Sequence, residues 1–253
     1  MITIQIYADA AAVAKAAARL VYERLAEHEE ERKFLLALSG GSTPRSMYAQ
    51  LRDLPKVAEL LNHRAEIFFS DERAVPPDSD QSNYRAARVG LLEPLNLKSE
   101  IVHRLRGEAK SLEAEALRYE HEMRAVAEIG DTEVPRFDLV LLGIGPDGHT
   151  ASLFADHDWR NSERKLVASP FVGLKQSHRL TFTLRMLNAA RTAVFLATGA
   201  DKADAIKKVL SAEFESDMLP ARRVEAAETI WLLDQAAADK LNPDQARGTI
   251  KRC

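Results

Sequence analysis

The chain has 253 residues, of which 46% are hydrophobic and 29% charged, as in an ordinary globular protein. Its formal net charge of −3 gives no overall positive field, so we expect neither nucleic acid nor an anionic membrane as a partner. No apolar run reaches the length of a membrane span, and the amino terminus lacks the pattern of a secretory signal. The single cysteine, Cys253, excludes an intramolecular disulfide and a cysteine-based zinc site. We therefore expect a cytoplasmic protein that acts on small molecules.

Short apolar runs alternate with helical patterns along the whole chain. They are typical of parallel strands covered by helices, because they are apolar throughout rather than alternating. A long amphipathic helix is expected around residues 112–126, and residues 72–110 are expected to form an irregular insertion over the sheet. The pattern predicts a single α/β domain over residues 1–253, with helices on both faces of a mostly parallel sheet. The predicted strands are 3–7, 34–39, 65–70, 137–143, 179–184, 192–198 and 229–234.

Four of the predicted strands are followed by polar stretches that could carry chemistry. These stretches read GGSTP, DER, GPDGHT and TGADK in chain order. Ligands of an open parallel sheet bind beyond the carboxyl ends of its strands. The sequence therefore predicts that these loops converge on one site.

The GGSTP loop, residues 40–44, joins a strand to a predicted helix that begins at about Pro44. Ser42 or Thr43 suits the N-cap of that helix, and Pro44 suits its first turn. Gly40 and Gly41 allow the backbone to approach a ligand, and free N–H groups at a helix start favour a phosphate. A simple capped turn and a phosphate site both fit this stretch.

The DER and TGADK loops are each open to two interpretations. Asp71, Glu72 and Arg73 form either an exposed charged turn or a buried acid–arginine pair in which Arg73 is an anion ligand. Lys202 stands in the first turn of a predicted helix, where the helix dipole disfavours a cation. It either neutralises a bound phosphate or is an ordinary solvated lysine.

Gly143, Gly145 and Gly148 match the G-x-G-x-x-G pattern of dinucleotide-binding loops. That fold needs an acidic residue about 20 positions further on, at the end of the next strand, and none is suitably placed. Pro146 and Asp147 also occupy the loop where a pyrophosphate needs small uncharged residues. We therefore expect no nicotinamide or flavin cofactor.

Asp147 and His149 flank Gly148 in the same loop. A carboxylate beside an imidazole fixes its tautomer and raises its basicity, which equips His149 as a general base. A loop histidine that caps the next helix is the alternative. We expect no metal, because His149 lacks an H-E-x-x-H partner and the acidic residues Asp156 and Asp158 fit a solvated turn. No G-x-S-x-G nucleophile elbow occurs.

Taken together, these loops resemble the 6-phosphogluconolactonase family. The resemblance is carried by LALSGGSTP, FFSDERAVPPDSDQSNYR, FDLVLLGIGPDGHTASLF, TFTLRMLNAAR and FLATGADKADA, in order over nearly the whole chain. It implies a modified Rossmann-like fold shared with glucosamine-6-phosphate deaminase, and hydrolysis of a phosphorylated sugar lactone without metal or cofactor. By this resemblance, His149 activates water with Asp147 as its partner, and Arg73 binds phosphate or polarises the lactone. The implied substrate contacts are Gly40, Gly41, Ser42, Thr43, Asp71, Arg73, Gly145 and Lys202.

Two other functions remain open on the sequence. A deaminase or aldose–ketose isomerase resembles this chain in the GGSTP and DGH loops, but it uses a glutamate shortly after its histidine, and residues 150–154 contain no acid. A non-catalytic sugar-phosphate sensor would leave His149 and Asp147 without a role. We expect a monomer or a weak homodimer.

Overall fold

Parallel strands and short helices alternate through the computed structural model, which describes residues 1–29, 31–155, 164–213 and 218–253. The acidic turn predicted at 156–158 lies outside the described residues. The strands are β1 (Ile2–Tyr7), β2 (Phe34–Leu38), β3 (Ala65–Phe69), β4 (Asp71–Arg73), β5 (Leu139–Gly143), β6 (Val167–Ala168), β7 (Phe171–Val172), β8 (Ser177–Phe182), β9 (Thr192–Ala197), β10 (Glu228–Asp234) and β11 (Thr249–Arg252). The α-helices are α1 (Ala10–Ala26), α2 (Ser42–Arg52), α3 (Val57–Arg64), α4 (Asn83–Ala87), α5 (Leu112–Val126), α6 (Leu184–Asn188), α7 (Ala203–Leu210) and α8 (Gln235–Ala238).

The main sheet has seven strands in the order β11-β1-β10-β9-β5-β2-β3, and all neighbours are parallel. Its central strands are buried along their whole length, as the apolar runs predicted. Across the β9–β10 pair, the rings of Phe195 and Trp231 stack with centroids 3.8 Å apart. The sheet and its surrounding helices confirm the predicted α/β class.

Several of the helices begin at a residue whose side chain caps them. Asp9 accepts a hydrogen bond from the N–H of Ala12 at the start of α1, and Ser111 does the same for Ala114 at the start of α5. Helix α5 spans the predicted range, and its buried residues include Tyr119 and Met123. These helices cover the faces of the sheet and leave the carboxyl ends of the strands to the loops.

A second, antiparallel sheet corrects two predictions. The run predicted as a parallel strand at 179–184 is β8, which pairs antiparallel with β4, β6 and β7. The DER stretch is not an exposed loop but strand β4. Because an apolar run shows only that both faces are covered, it does not specify which sheet the strand joins. The packing of Phe182 on Phe137, with ring centroids 5.4 Å apart, shows what covers β8.

Glu72 explains why a charged stretch can form a buried strand. Glu72 is only 2% exposed, and its carboxylate accepts hydrogen bonds from the Ser82 hydroxyl and from the backbone N–H groups of Arg73, Asn83 and Tyr84. Burial raises the pKa of Glu72, although these hydrogen bonds act in the opposite direction. The carboxylate thereby joins β4 to the start of α4.

The irregular stretch at 72–110 lies along the edge of the main sheet. Val102 bridges Ile67 in parallel, and the N–H of His103 donates to the carbonyl of Ile67 over 2.8 Å. The stretch therefore covers the outer strand, β3, which would otherwise present unpaired backbone groups. Among the residues described, no helix is long and apolar enough to span a membrane.

His103 forms a charged cluster beneath this edge. Its Nε2 lies 2.9 Å from Glu66 and its Nδ1 3.1 Å from Glu122, while its ring stacks on Phe68. Burial lowers the pKa of His103, but the two carboxylates outweigh it and raise the pKa to about 9. The imidazolium is therefore part of the folded structure at neutral pH.

The His103 cluster predicts a loss of stability in mild alkali. The pKa of His103 is higher in the folded protein than its ordinary value, so the protonated cluster stabilises the fold. This contribution is complete below about pH 6.5 and is lost as the pH rises through about 9. We expect the free energy of unfolding to fall by about 1–2 kcal/mol over that interval. Urea unfolding of the wild type and of His103→Gln checks this, since the variant should lose most of the pH dependence. An equal slope in both proteins would contradict the assignment.

Candidate active site

The carboxyl ends of β2, β5 and β9 lie side by side, because these strands are neighbours in the sheet. The GGSTP, GPDGHT and TGADK loops therefore meet at one edge, as predicted. The hydroxyls of Thr43 and Thr198 are 2.9 Å apart and join the loop after β2 to the loop after β9. The three loops form one surface around the end of β5.

The helix after the GGSTP loop begins two residues earlier than expected. Its N-cap is Gly41, with φ 111°, and within the described chain no side chain caps it. The capping role predicted for Ser42 or Thr43 is therefore wrong, since Thr43 binds Thr198 instead. The N–H groups of Ser42 and Thr43 have no acceptor among the described residues. They remain available at the positive end of the helix dipole.

Lys202 lies at the N-cap of α7, on the other side of the same surface. Its ammonium pairs with the Asp201 carboxylate over 2.9 Å, and that contact lowers the pKa of Asp201. Gly199 turns the chain with φ 95°, and its N–H donates to both carboxylate oxygens of Asp234 at the end of β10. Asp234 thus fixes the loop that carries Lys202.

His149 and Asp147 form the hydrogen-bonded pair that the sequence predicted. His149 Nδ1 lies 2.5 Å from Asp147 Oδ1, and the ring stacks on Phe154 with centroids 4.0 Å apart. Burial raises the pKa of Asp147, but the hydrogen bond and charge of His149 outweigh it and lower the pKa to about 2. None of the residues described contacts His149 Nε2 by a hydrogen bond. The aspartate therefore holds Nδ1 and leaves Nε2 for a ligand.

Gly145 makes room for this pair. A Cβ built on Gly145 would overlap the ring of His149 and lie 2.5 Å from Asp147 Oδ1. The N–H of Gly145 donates to the carbonyl of His149, and the N–H of Gly148 donates to the carbonyl of Gly145. Both amides thus close the turn, while the substrate contact that the resemblance implies for Gly145 stays a prediction. The glycines shape a histidine-bearing turn.

Asp71 connects the turn after His149 to strand β4. Asp71 is 6% exposed, and its two carboxylate oxygens accept hydrogen bonds from Asn83 Nδ2 and Ser152 Oγ. The N–H of Ser152 donates to Thr181 Oγ1, so the turn after the histidine is tied to both β4 and β8. Asp71 therefore tethers this turn, and the substrate contact expected of it stays a prediction.

Arg73 lies at the end of β4 and is partly exposed. Its Nη1 donates to the carbonyl of Gln81 over 2.5 Å, and its N–H donates to Glu72. It forms no ion pair among the described residues. The buried acid–arginine pair considered for this stretch is absent there, because Asp71 and Glu72 direct their oxygens to other donors.

Several residues of the site were not found from the sequence. Asn83 is 2% exposed, and its Oδ1 faces Gly40 so closely that any Cβ there would overlap it. The sequence signal for these residues is weak, because each one only lies at a strand end or inside a stretch quoted for the family resemblance. They are Asn83, Ser152, Phe154, Thr181, Thr198 and Asp234.

Comparison with known proteins supports one family for this fold and site. The chain is 38% identical over 257 residues to the 6-phosphogluconolactonase of Homo sapiens, covering 98% of this chain and 97% of the relative. It is 37% identical over 210 residues to that of Synechocystis sp., covering 82% of this chain and 85% of the relative.

Solved structures give the same result. The 6-phosphogluconolactonase of Trypanosoma brucei superposes with a TM-score of 0.80 at 28% identity, covering 96% of this chain and 99% of that one. A monomeric glucosamine-6-phosphate deaminase superposes with a TM-score of 0.79 at 21% identity, covering 95% of this chain and 100% of that one. At this identity the likeness shows a shared fold. The family described as glucosamine-6-phosphate isomerases/6-phosphogluconolactonase matches residues 8–231. The chain therefore belongs to the glucosamine-6-phosphate isomerase/6-phosphogluconolactonase family.

Proposed function

We propose that the protein hydrolyses 6-phospho-D-glucono-1,5-lactone to 6-phospho-D-gluconate, the lactonase step of the oxidative pentose phosphate pathway. The observation that carries the proposal is the His149–Asp147 pair, with Nε2 unpartnered among the described residues, beside a loop with free helix N–H groups. Relatives at 37–38% identity that are named for this activity support it.

The substrate phosphate binds at the start of α2 and against Lys202. The N–H groups of Ser42 and Thr43 supply donors, and Lys202 exchanges its contact with the exposed Asp201 for the phosphate. Because the phosphate does not react, its binding energy serves to position the lactone carbonyl.

His149 acts as the base toward the lactone. Its Nε2 takes a proton from a water molecule as the water oxygen bonds to the carbonyl carbon, and Arg73 stabilises the negative charge on the carbonyl oxygen. When the bond between that carbon and the ring oxygen breaks, His149 returns the proton to the ring oxygen. The charge of Asp147 stabilises the imidazolium between these steps.

The first experiment compares two substrates in the presence of a chelator. The lactone is generated in situ and its disappearance is followed above the spontaneous rate, with glucosamine 6-phosphate as the parallel substrate. We expect fast lactone loss that the chelator does not change, and no ammonia. Ammonia or fructose 6-phosphate instead would indicate the deaminase, even though no acid follows His149 within residues 150–154.

Replacement of the catalytic pair tests the base. We expect His149→Ala and Asp147→Asn each to lower kcat by about 10²–10⁴-fold, because the first removes the base and the second its orientation. His121→Ala, an exposed histidine on α5, is the matched control and should leave kcat unchanged. Near-normal kcat in His149→Ala, with the lactone as substrate, would remove His149 from this role.

The phosphate contact predicts a substrate-dependent effect of Lys202. We expect Lys202→Met to lower kcat/KM for the phosphorylated lactone by about 10–100-fold, the loss of a hydrogen bond to a charged group. The rate with unphosphorylated glucono-1,5-lactone should hardly change. Lys207→Met, at an exposed lysine further along α7, is the control. An equal loss with both lactones would place Lys202 elsewhere.

The steric role of Gly145 is testable by comparison with Gly143. Gly145→Ala must displace the His149 ring, so we expect kcat to fall by about 10²-fold or more in a folded protein. A Cβ on Gly143 meets nothing within 4 Å in the described structure, so Gly143→Ala should keep the His149–Asp147 contact. The imidazole resonances of His149 in an NMR spectrum report the ring position in both variants. An undisturbed ring in Gly145→Ala would contradict the steric argument.

A further inference from the structure

Two arginines stand directly opposite each other in the small antiparallel sheet. Arg73 of β4 pairs with Arg179 of β8 in the strand register. Side chains of directly opposite residues project from the same face, and like charges in such positions are destabilising. Because this arrangement lowers the stability of the protein by itself, it suggests that the two arginines bind a negative charge between them.

Neither guanidinium is neutralised within the described protein. Arg179 is half-buried, and its Nε is fully buried with no hydrogen-bond partner there. Among the described residues, the guanidinium of Arg73 donates only to a neutral group, the carbonyl of Gln81, through its Nη1. Neither arginine has an ion pair with a described carboxylate.

The two nearest carboxylates are occupied by other donors. Asp71 accepts from Asn83 and Ser152, while both oxygens of Glu72 accept from the 82–84 segment. Burial and the charge of Arg73 lower the pKa of Arg179, although the charges of Asp71 and Glu72 act in the opposite direction. Both acids thus act on Arg179 through space, but among the described residues neither of them forms an ion pair with either guanidinium.

The arginine pair lies close to the histidine turn. Asp71 and Thr181 are the next opposite pair on the same face, and Ser152, three residues after His149, is bound to both. Two residues along a strand span about 6–7 Å, so an anion held by the pair would lie near the reacting end of a bound substrate.

We infer that Arg179, together with Arg73, binds the lactone end of the substrate. The pair receives the carbonyl oxygen that becomes negative during attack and the carboxylate of the product. This assignment rests on the proposed function, in which the loop after β2 and Lys202 hold the phosphate. Two guanidiniums suit a planar carboxylate, because each presents N–H donors in a fixed fork.

The test measures binding, so it does not depend on turnover. Wild type, Arg179→Gln and Arg179→Lys are titrated calorimetrically with 6-phosphogluconate and with glucose 6-phosphate, which shares the phosphate but has no carboxylate. We expect Arg179→Gln to weaken 6-phosphogluconate binding by about 10–100-fold and glucose 6-phosphate binding by less than about twofold. Arg179→Lys should restore part of the loss. Arg185→Gln, just beyond β8 and bonded to a backbone carbonyl, is the control.

Thermal unfolding without ligand separates binding from a structural role. Removing one of two like charges should leave Tm unchanged or raise it in Arg179→Gln. A fall of more than about 4 °C with unchanged affinities would show a structural arginine and overturn the inference. Equal weakening of both ligands would place Arg179 at the phosphate and also overturn it. Failure of the wild type to hydrolyse the lactone, with the titration pattern intact, would reject the proposed function separately.

Discussion

The parallel pairing of the seven-stranded sheet is the constraint on which the site depends. Parallel strands end at the same edge, and the order β9-β5-β2 brings together loops that are far apart in the chain. The contact between Thr43 and Thr198 joins segments 155 residues apart. With this order, the short loops need little further structure to form one surface.

Buried carboxylates connect the second sheet to that surface. Asp71 and Glu72 lie almost fully buried, yet their oxygens are directed to hydroxyl, amide and backbone donors. Such fully hydrogen-bonded carboxylates are tolerated inside a protein, whereas removal of their partners would leave a costly unpaired charge. They anchor the turn after His149 and the start of α4 to the second sheet.

The protein has polar groups that pair with each other and polar groups that lack a partner, and the two kinds lie in separate places. Asp147 and His149 satisfy each other, and the His103 cluster does the same at the edge of the sheet. The free N–H groups at the start of α2 and the facing Arg73 and Arg179 have no such partners in the described structure. Groups of this kind lower the stability of an empty protein, and proteins commonly keep them where a ligand supplies the missing partner.

The sequence by itself determined the α/β class, most strand positions, the pairing of Asp147 with His149 and the family resemblance. These follow from local patterns: the period of apolar residues, the short distance between two side chains in one turn, and characteristic motifs. Only the tertiary structure decided that the DER stretch is a strand, that β8 joins a separate sheet, and that Asp71 is a tether. It alone placed Arg179 opposite Arg73, 106 residues earlier in the chain. The reason is physical, because the partners of a strand and the donors around a buried charge come from distant segments that folding brings into contact.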